Sequence, residues 1–115
     1  MRLRGARIVI HPSAYERAAE RWWDVLYPAN ALANGQWWIM ANQCGTNSSG
    51  TLLGGSQIIS PMGHVVARAV RAGGGESPDP ELLMAELDLR REIERADRGN
   101  AALWGERRPE LYGSR

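Results

Sequence analysis

Residues 37–70 read WWIMANQCGTNSSGTLLGGSQIISPMGHVVARAV, and the fold is predicted mainly from this segment. The short apolar run at 37–40 and the residues Gln57–Ile58–Ile59 are typical of strands. Residues 42–50, rich in Asn, Ser, Thr and Gly, predict a loop between them. In the tetrapeptide SPMG at 60–63, proline at the second position and glycine at the fourth indicate a type I turn. The residues after this turn are therefore expected to return as the antiparallel arm of a hairpin.

A third strand is predicted upstream, at Ile8–Val9–Ile10. This run is wholly apolar and β-branched, which suits a strand buried on both faces of a parallel or mixed sheet covered by helices. Pro12 restricts His11 to extended geometry, so the strand is expected to end here.

Residues 16–34 carry a helical pattern between these strands. Its apolar face is predicted from residues at three- and four-residue steps, namely Ala19, Trp22, Trp23, Leu26 and Asn30. The two tryptophans are interpreted as core or interface anchors. Pro28 is expected to kink or break the helix, because proline lacks the backbone donor, and Gly35 is expected to end it.

Downstream of residue 70 the pattern alternates between loops and short elements. The glycines at 73–75 predict a flexible connection rather than a phosphate cradle, because no lysine follows them and two prolines do. Residues 83–89 alternate between apolar and polar side chains, which predicts a half-exposed strand. Residues 90–98 are mostly charged and predict a solvated helix that ends at Gly99–Asn100, before a tail at 107–113.

The composition limits the classes of function. A chain of 115 residues holds one domain at most, and its 14 basic residues, all arginine, nearly balance 13 acidic residues. This balance gives no electrostatic reason to expect binding to nucleic acid or to an anionic membrane. The single cysteine excludes an internal disulfide, and with no signal-peptide pattern at the start we expect a cytoplasmic protein.

Three motifs, in order, resemble the carbon–nitrogen hydrolase (nitrilase/amidase) superfamily. They are GARIVIHPSAY at 5–15, the series ANQCG, GGS and IISPMG within 41–63, and RRPELYG at 107–113. The resemblance implies an α/β fold, a four-layer αββα sandwich, of which this chain supplies mainly one mixed, mostly antiparallel sheet and a covering helix. One departure lies at 30–34, where the family's Arg-Ala-x-Glu-Asn reads Asn-Ala-Leu-Ala-Asn and lacks both charges.

The same resemblance implies a catalytic trio and where it lies. In the family, a glutamate acts as general base, a lysine stabilises the tetrahedral intermediate and a cysteine forms a thioester, without metal or cofactor. All three precede the strand that corresponds to residues 8–10, and this chain contains no lysine. Residues 1–115 are therefore expected to form the C-terminal part of an incomplete hydrolase domain, inactive alone.

The resemblance also implies a substrate pocket beside the nucleophile, shaped by Ser13, Ala14, Tyr15 and Asn42. Ligands of open α/β sheets bind at the carboxyl ends of strands, where Ser13 and Asn42 are predicted to lie. In the alternative interpretation Tyr15 packs in a helix-entry loop, and for His11 packing is favoured.

Cys44 is a poor candidate for the nucleophile. Activation of a thiol needs a base, a positive group or a helix N-terminus, and the neighbouring sequence supplies none. Cys44 also follows the Asn-x-x-Gly strand, whereas the family's cysteine precedes the first strand. Its activity as a thiol nucleophile remains a minor hypothesis.

Two classes of function stay open. The first is part of a hydrolase acting on small amides or carbamoyl compounds, and less readily on nitriles. The second is a non-catalytic protein that oligomerises through the helix at 16–34 and the C-terminal tail. A homo-oligomer is expected in both cases, and the isolated chain is expected to expose sheet edges and to aggregate or dimerise.

Overall fold

The computed structural model describes residues 1–73, 76–99, 102 and 104–111. Its strands are β1 (Ile8–Ser13), β2 (Trp37–Asn42), β3 (Thr46–Asn47), β4 (Gly50–Thr51), β5 (Gln57–Ile59) and β6 (Val65–Arg68). Its α-helices are α1 (Glu20–Asn34) and α2 (Leu89–Arg98). Short 3-10 helices cover Arg2–Arg4, Arg17–Ala19 and Pro109–Leu111.

Four strands form one mixed sheet in the order β1-β2-β5-β6. The pair β1–β2 is parallel, and the pairs β2–β5 and β5–β6 are antiparallel. The predicted mixed α/β sheet is thereby confirmed. The loop predicted at 42–50 contains a small hairpin, β3–β4, which the polar composition did not reveal.

The turn at 60–63 forms as predicted. The Gly63 N–H donates to the Ser60 carbonyl oxygen at 2.9 Å, and Gly63 has a φ of 77°. A Cβ at this glycine would lie 3.0 Å from the carbonyl oxygen of Pro28 in α1. The turn therefore needs glycine both for its backbone conformation and for its close approach to the helix.

The buried face of α1 differs from the predicted one. Trp23, Tyr27 and Ala31 are buried at a spacing of four residues, whereas Trp22 and Leu26 are 59% and 45% exposed. The helix also continues through Pro28, so the expected break is wrong. Burial of the Trp23, Tyr27 and Ala31 face against the sheet offsets the loss of one backbone hydrogen bond.

The core lies between α1 and one face of the sheet. Trp23 is fully buried, and its indole Nε1–H donates to the carbonyl oxygen of Gly55 at 2.7 Å. Gln57 of β5, also fully buried, donates from Nε2 to the backbone oxygen of Trp23 at 3.0 Å. The buried members of the cluster are Val9, Trp23, Tyr27, Ala31, Trp38, Met40, Leu53 and Ile59.

The opposite face of the sheet is partly uncovered in the described structure. Val9 is buried under α1, but its neighbours Ile8 and Ile10 on the other face are 40% and 71% exposed. Ile10 pairs with the half-buried Ile39 of β2, so this apolar surface continues across the strands. Ile8–Ile10 was predicted to be buried on both faces, and the structure buries only one of them.

The strand predicted at 83–89 is wrong. Residues 77–88 have no regular secondary structure, and Leu82 and Met84 are 83% and 77% exposed. The alternating pattern is present, but a strand also needs a neighbour with which to exchange backbone hydrogen bonds, and the described residues provide none for this segment. The helix predicted at 90–98 is confirmed as α2, with Asp88 as its N-cap: the carboxylate accepts from the Arg91 N–H.

Ion pairs hold the first residues of the chain, and a hydrogen bond holds the segment after α2. Asp97 of α2 accepts from Arg2 and Arg7 at 3.1 and 2.7 Å. In the tail, the Trp104 Nε1–H donates to the Ala33 carbonyl oxygen at 3.0 Å, and Arg107 stacks on its ring. The described part of the tail thus contacts its own chain; Tyr112 and Gly113 of the tail motif, like Asn100 at the predicted helix end, lie outside the described residues.

A second ion-pair cluster joins α1 to the residues after β6. The Arg71 guanidinium donates to Asp24 at 2.6 and 3.0 Å and to Glu20 at 3.1 Å. Its hydrogen bond to Asp24, supported by the nearby charges of Arg71 and Arg68, holds the pKa of this carboxyl below its ordinary value of 3.8 although partial desolvation opposes this. At pH values above 3.8, the ionised carboxylate of Asp24 therefore stabilises the folded state.

The free energy of unfolding is expected to fall as the pH drops from about 5 towards 2, because the unfolded state takes up the proton on Asp24 more readily. Asp24 is partly exposed, so its share is about 0.5–1 kcal/mol. Asp24→Asn should flatten the pH dependence by this amount in urea unfolding at pH 3 and pH 7. The control is Asp79→Asn, which removes one exposed carboxyl without an ion pair among the described residues.

Candidate functional site

The carboxyl ends of β1 and β2 lie side by side. The two strands are parallel and in register from Ile8 opposite Trp37 to Ser13 opposite Asn42, so their last residues are neighbours. A shallow groove of about 480 Å³ opens there. It is lined by Pro12, Ser13, Ala14, Ala41, Asn42 and Gln43.

Asn42 connects the two sides of this groove through its carboxamide. Its Oδ1 accepts from the Ser13 hydroxyl at 3.0 Å and from the Tyr15 N–H at 2.7 Å. Its Nδ2 donates to the carbonyl oxygens of Tyr15 and Gly54 at 3.2 and 2.9 Å. The Asn42 N–H in turn donates to the Ser56 hydroxyl at 3.0 Å. Asn42 therefore fastens residues 13–15, here called the site loop, to the turn that contains Gly54 and Ser56.

Backbone hydrogen bonds hold the same segments together. Gln43 N–H donates to the Ser13 carbonyl oxygen at 3.0 Å, and Leu53 N–H donates to that of Tyr15 at 2.8 Å. Gly54 N–H donates to the Gln43 carbonyl oxygen at 3.1 Å. The site loop is consequently tied to β2 on one side and to the glycine turn on the other.

The turn at 54–56 is hydrogen-bonded to the groove residues Asn42 and Gln43. Gly54 and Gly55 both have a φ of 63°, and a Cβ at either would lie within 2.7 Å of a side-chain carbon, of Pro78 and of Arg71 respectively. Two adjacent residues in the left-handed conformation explain the Gly-Gly pair. The sequence showed GGS as a motif, but its supporting role depends on contacts between distant residues.

Tyr15 lies at the end of the site loop, and its ring packs in the core. The ring contacts those of Trp23 and Tyr27 in edge-on geometry, with centroid distances of 5.5 and 6.1 Å. The Tyr27 hydroxyl donates to the Tyr15 hydroxyl at 2.6 Å. Tyr15 contributes its backbone to the site loop and is not among the residues that line the groove.

His11 belongs to the same aromatic cluster. Its ring centroid lies 5.2 Å from that of Tyr27, and its Nε2 lies 3.4 Å from the Tyr27 hydroxyl. Burial, followed by the hydrogen bond to Tyr15, raises the pKa of Tyr27 above the ordinary range for a phenol. Tyr27 therefore stays protonated and keeps donating to Tyr15 at any ordinary pH.

Cys44 is half-buried and lies in a different small cavity. Acidic side chains of Asp79 and Glu81 line this cavity, and Ser77 Oγ accepts from the N–H of Gly45 beside the cysteine. No histidine or arginine is among the residues that line it. The residues that line this cavity therefore place neither an imidazole nor a positive side chain beside the sulfur.

The groove itself carries no charged side chain. Within the described ranges, no group of three or more His, Cys, Asp and Glu residues is placed to hold a metal ion. In that same part of the chain, no helix is both long and apolar enough to cross a membrane. The groove therefore presents small neutral surfaces, which suit uncharged polar ligands.

Comparison with known proteins places this geometry in a family. The carbon–nitrogen hydrolase family model matches residues 1–96. Mouse deaminated glutathione amidase is 34% identical over 112 residues, which are 96% of this chain and 32% of that protein. The chain thus spans about a third of the length of this relative.

Solved structures agree with this assignment. A carbon–nitrogen hydrolase from Helicobacter pylori superposes with a TM-score of 0.74 at 26% identity, over 97% of this chain and 41% of that one. The NitFhit protein of Caenorhabditis elegans superposes with a TM-score of 0.76 at 27% identity, over 97% and 26%. The chain belongs to the carbon–nitrogen hydrolase family.

Proposed function

We propose that this chain is the C-terminal part of a cysteine hydrolase that cleaves non-peptide carbon–nitrogen bonds of small amides. The observation that carries the proposal is the groove at the carboxyl ends of β1 and β2, within a region that matches the family model. Ser13 and Ala14 form its wall, Asn42 shapes it, and Tyr15 holds the wall through its backbone hydrogen bonds to Asn42 and Leu53. A cytoplasmic location is part of the proposal.

The sheet leaves room for the catalytic part. β1 is a terminal strand of the described sheet, and β2 is its hydrogen-bonded neighbour there. Another parallel strand on the free edge of β1 would end beside Ser13, because the carboxyl ends of parallel strands meet at one edge. A nucleophile at the end of such a strand would face the groove. The uncovered face with Ile8, Ile10 and Ile39 would receive the second sheet of a four-layer sandwich.

The proposed reaction needs three groups that this chain does not combine. A cysteine thiolate attacks the amide carbon, the C–N bond breaks and ammonia leaves with a proton relayed by a glutamate. Water then cleaves the thioester, releasing a carboxylic acid and the free thiol. The tetrahedral intermediates carry negative charge, which a lysine stabilises. Because this sequence has no lysine, the trio is assigned to another part of the enzyme.

The substrate class follows from the groove and from the relatives. The groove is neutral, and several relatives are named deaminated glutathione amidases. We therefore infer a small primary amide or carbamoyl compound as the substrate, with nitriles less favoured. Hydrogen bonds from a neutral polar wall orient a carboxamide without the cost of burying an unpaired charge.

The decisive experiment joins this chain to the missing part. The portion of mouse deaminated glutathione amidase that precedes its matched region would be fused ahead of Met1, and ammonia release from small primary amides would be measured. The fusion is expected to hydrolyse an amide, and replacing the catalytic cysteine of the mouse portion by alanine should abolish this. A folded fusion without turnover would contradict the proposal. Nucleotides upstream of Met1 that encode a Cys-Tyr-Asp-like stretch in frame would support it independently.

The 115-residue chain alone is expected to release no ammonia from any amide above the uncatalysed rate. Its single cysteine lies among acidic side chains rather than beside a base. The measurement is a coupled ammonia assay with the purified chain and with Cys44→Ala. Turnover by the parent chain that Cys44→Ala abolishes would instead identify Cys44 as a nucleophile.

The alternative is an interaction protein that assembles through α1. One side of this helix, called its outer face, is apolar and uncovered: Trp22, Val25 and Leu26 are 59%, 55% and 45% exposed. Arg21 and Ala29 complete a groove of about 500 Å³ there. Trp23, which was grouped with Trp22 as an interface anchor, is fully buried and takes no part. A homo-oligomer through this face and the tail is compatible with both functions.

A further inference from the structure

We propose that Asn42 is a positioning residue of the amide site, which holds the groove wall in place and does not itself hydrogen-bond to the substrate. The proposal rests on the function proposed above. The Asn42 carboxamide has one oxygen that accepts two hydrogen bonds and one nitrogen that donates two. The oxygen already accepts from the Ser13 hydroxyl and the Tyr15 N–H. The nitrogen already donates to the carbonyl oxygens of Tyr15 and Gly54. No hydrogen-bonding capacity remains for a ligand.

The partners also fix which way the carboxamide points. The Tyr15 N–H can only donate, and the carbonyl oxygens of Tyr15 and Gly54 can only accept. A flipped Asn42 would oppose donor to donor and acceptor to acceptor. Aspartate has the same shape but two acceptor oxygens, so it keeps the bonds on the Oδ1 side and loses both donations.

These two donations connect segments that are otherwise far apart in the sequence. Nδ2 joins the site loop to the glycine turn, whose Gly54 N–H donates to the carbonyl oxygen of Gln43 in the groove. A carboxylate there would face the carbonyl oxygens of Tyr15 and Gly54 at close range and repel both. The wall formed by Ser13 and Ala14 would then move relative to β2, although the strand pairing beneath it stays intact.

A matched pair of substitutions tests this role in the full 115-residue chain. Asn42→Asp removes the donations, whereas Asn47→Asp makes the same change at a side chain whose hydrogen bonds to described residues are made by Oδ1. In the β3–β4 turn, Asn47 Oδ1 accepts from the N–H groups of Ser49 and Gly50 at 2.8 and 3.2 Å, and a carboxylate would do so equally well. The readout is amide hydrogen exchange measured by NMR.

Asn42→Asp is expected to speed exchange roughly tenfold to a hundredfold at the amides that secure the site loop. These amides are those of Leu53 and Gly54. The helix amides of Tyr27 and Ala31 should exchange as in the parent chain, and Asn47→Asp should change none of the four. Unchanged exchange at the loop, or equal acceleration in the helix, would overturn the positioning role.

The fusion enzyme supplies a second readout. There Asn42→Asp is expected to raise KM about tenfold while kcat changes less than about twofold, because the binding wall moves and the reacting groups do not. A variant that loses kcat with KM unchanged would overturn the assignment. If the parent fusion hydrolyses no amide, the proposed function fails, while the exchange measurement still decides whether Asn42 holds the loop.

Discussion

Trp23→Ala is expected to abolish cooperative folding of the chain. Trp23 is fully buried between α1 and the sheet, and its ring packs edge-on against Tyr15 and Tyr27 at 5.5 and 5.4 Å. Truncating a buried tryptophan costs about 3–5 kcal/mol. The carbonyl oxygen of Gly55 would also lose its indole donor, which adds about 1–3 kcal/mol. This sum approaches the total stability of about 5–15 kcal/mol that is typical of small domains.

The neighbouring tryptophan provides the control. Trp22 has the same chemistry one residue away but is 59% exposed on the outer face of α1. Trp22→Ala should change the free energy of unfolding by less than about 1 kcal/mol. Thermal and urea unfolding followed by far-UV circular dichroism would compare the two variants. Equal losses of stability in both would mean that the sheet does not pack on the side of α1 that holds Trp23.

The hairpin around the turn at 60–63 was predictable because its signals are local. A proline, a glycine and short β-branched runs determine a turn and two strands without reference to the rest of the chain. The low rank of Cys44 as a nucleophile was likewise inferred from its immediate neighbours, and it stays a prediction. The strand at 37–42 and the family motifs together sufficed to indicate a mixed sheet.

The orientation of α1 was not predictable because the helix is apolar on more than one side. Adjacent residues on a helix point about 100° apart, so choosing Trp22 together with Trp23 left the buried direction undetermined. The actual core stripe includes Tyr27, whose hydroxyl disguised it as a polar position. The Tyr27 hydroxyl donates to Tyr15, which is twelve residues away and outside the helix. The periodicity of the helix sequence cannot predict such a hydrogen bond.

The proximity of Ser13 and Asn42 was predictable, but the hydrogen-bonding role of Asn42 was not. Ser13 and Asn42 were expected at strand ends, and the parallel register does bring them together. Whether Asn42 offers its carboxamide to a ligand or uses it internally depends on where Gly54 lies. That position is set by the glycine turn and by Trp23, which are tertiary contacts. The alternation at 83–89 failed for a similar reason, because strand formation depends on a neighbour that the sequence does not reveal.

Ile10→Glu is expected to keep the isolated chain in solution and to prevent its completion by the catalytic part. Ile10 is 71% exposed on the uncovered face, and the core beneath α1 does not involve its side chain. The substitution should therefore cost little stability in the bare chain and should break up an apolar surface that favours aggregation. In a four-layer sandwich the same position becomes buried, and an unpaired carboxylate there costs several kcal/mol.

A two-part assay separates this face from the outer face of α1. The chain and the mouse catalytic portion would be co-expressed as separate polypeptides, with association followed by co-purification and ammonia release. Ile10→Glu should weaken association at least about a hundredfold, whereas Val25→Glu, at a 55% exposed apolar position of α1, should leave it intact. If Val25→Glu alone disrupts association or restores the solubility of the bare chain, the exposed helix is the dominant interface and the uncovered sheet face is not. Both variants replace an exposed aliphatic side chain by a carboxylate. A difference in association between them therefore shows which surface binds the catalytic portion.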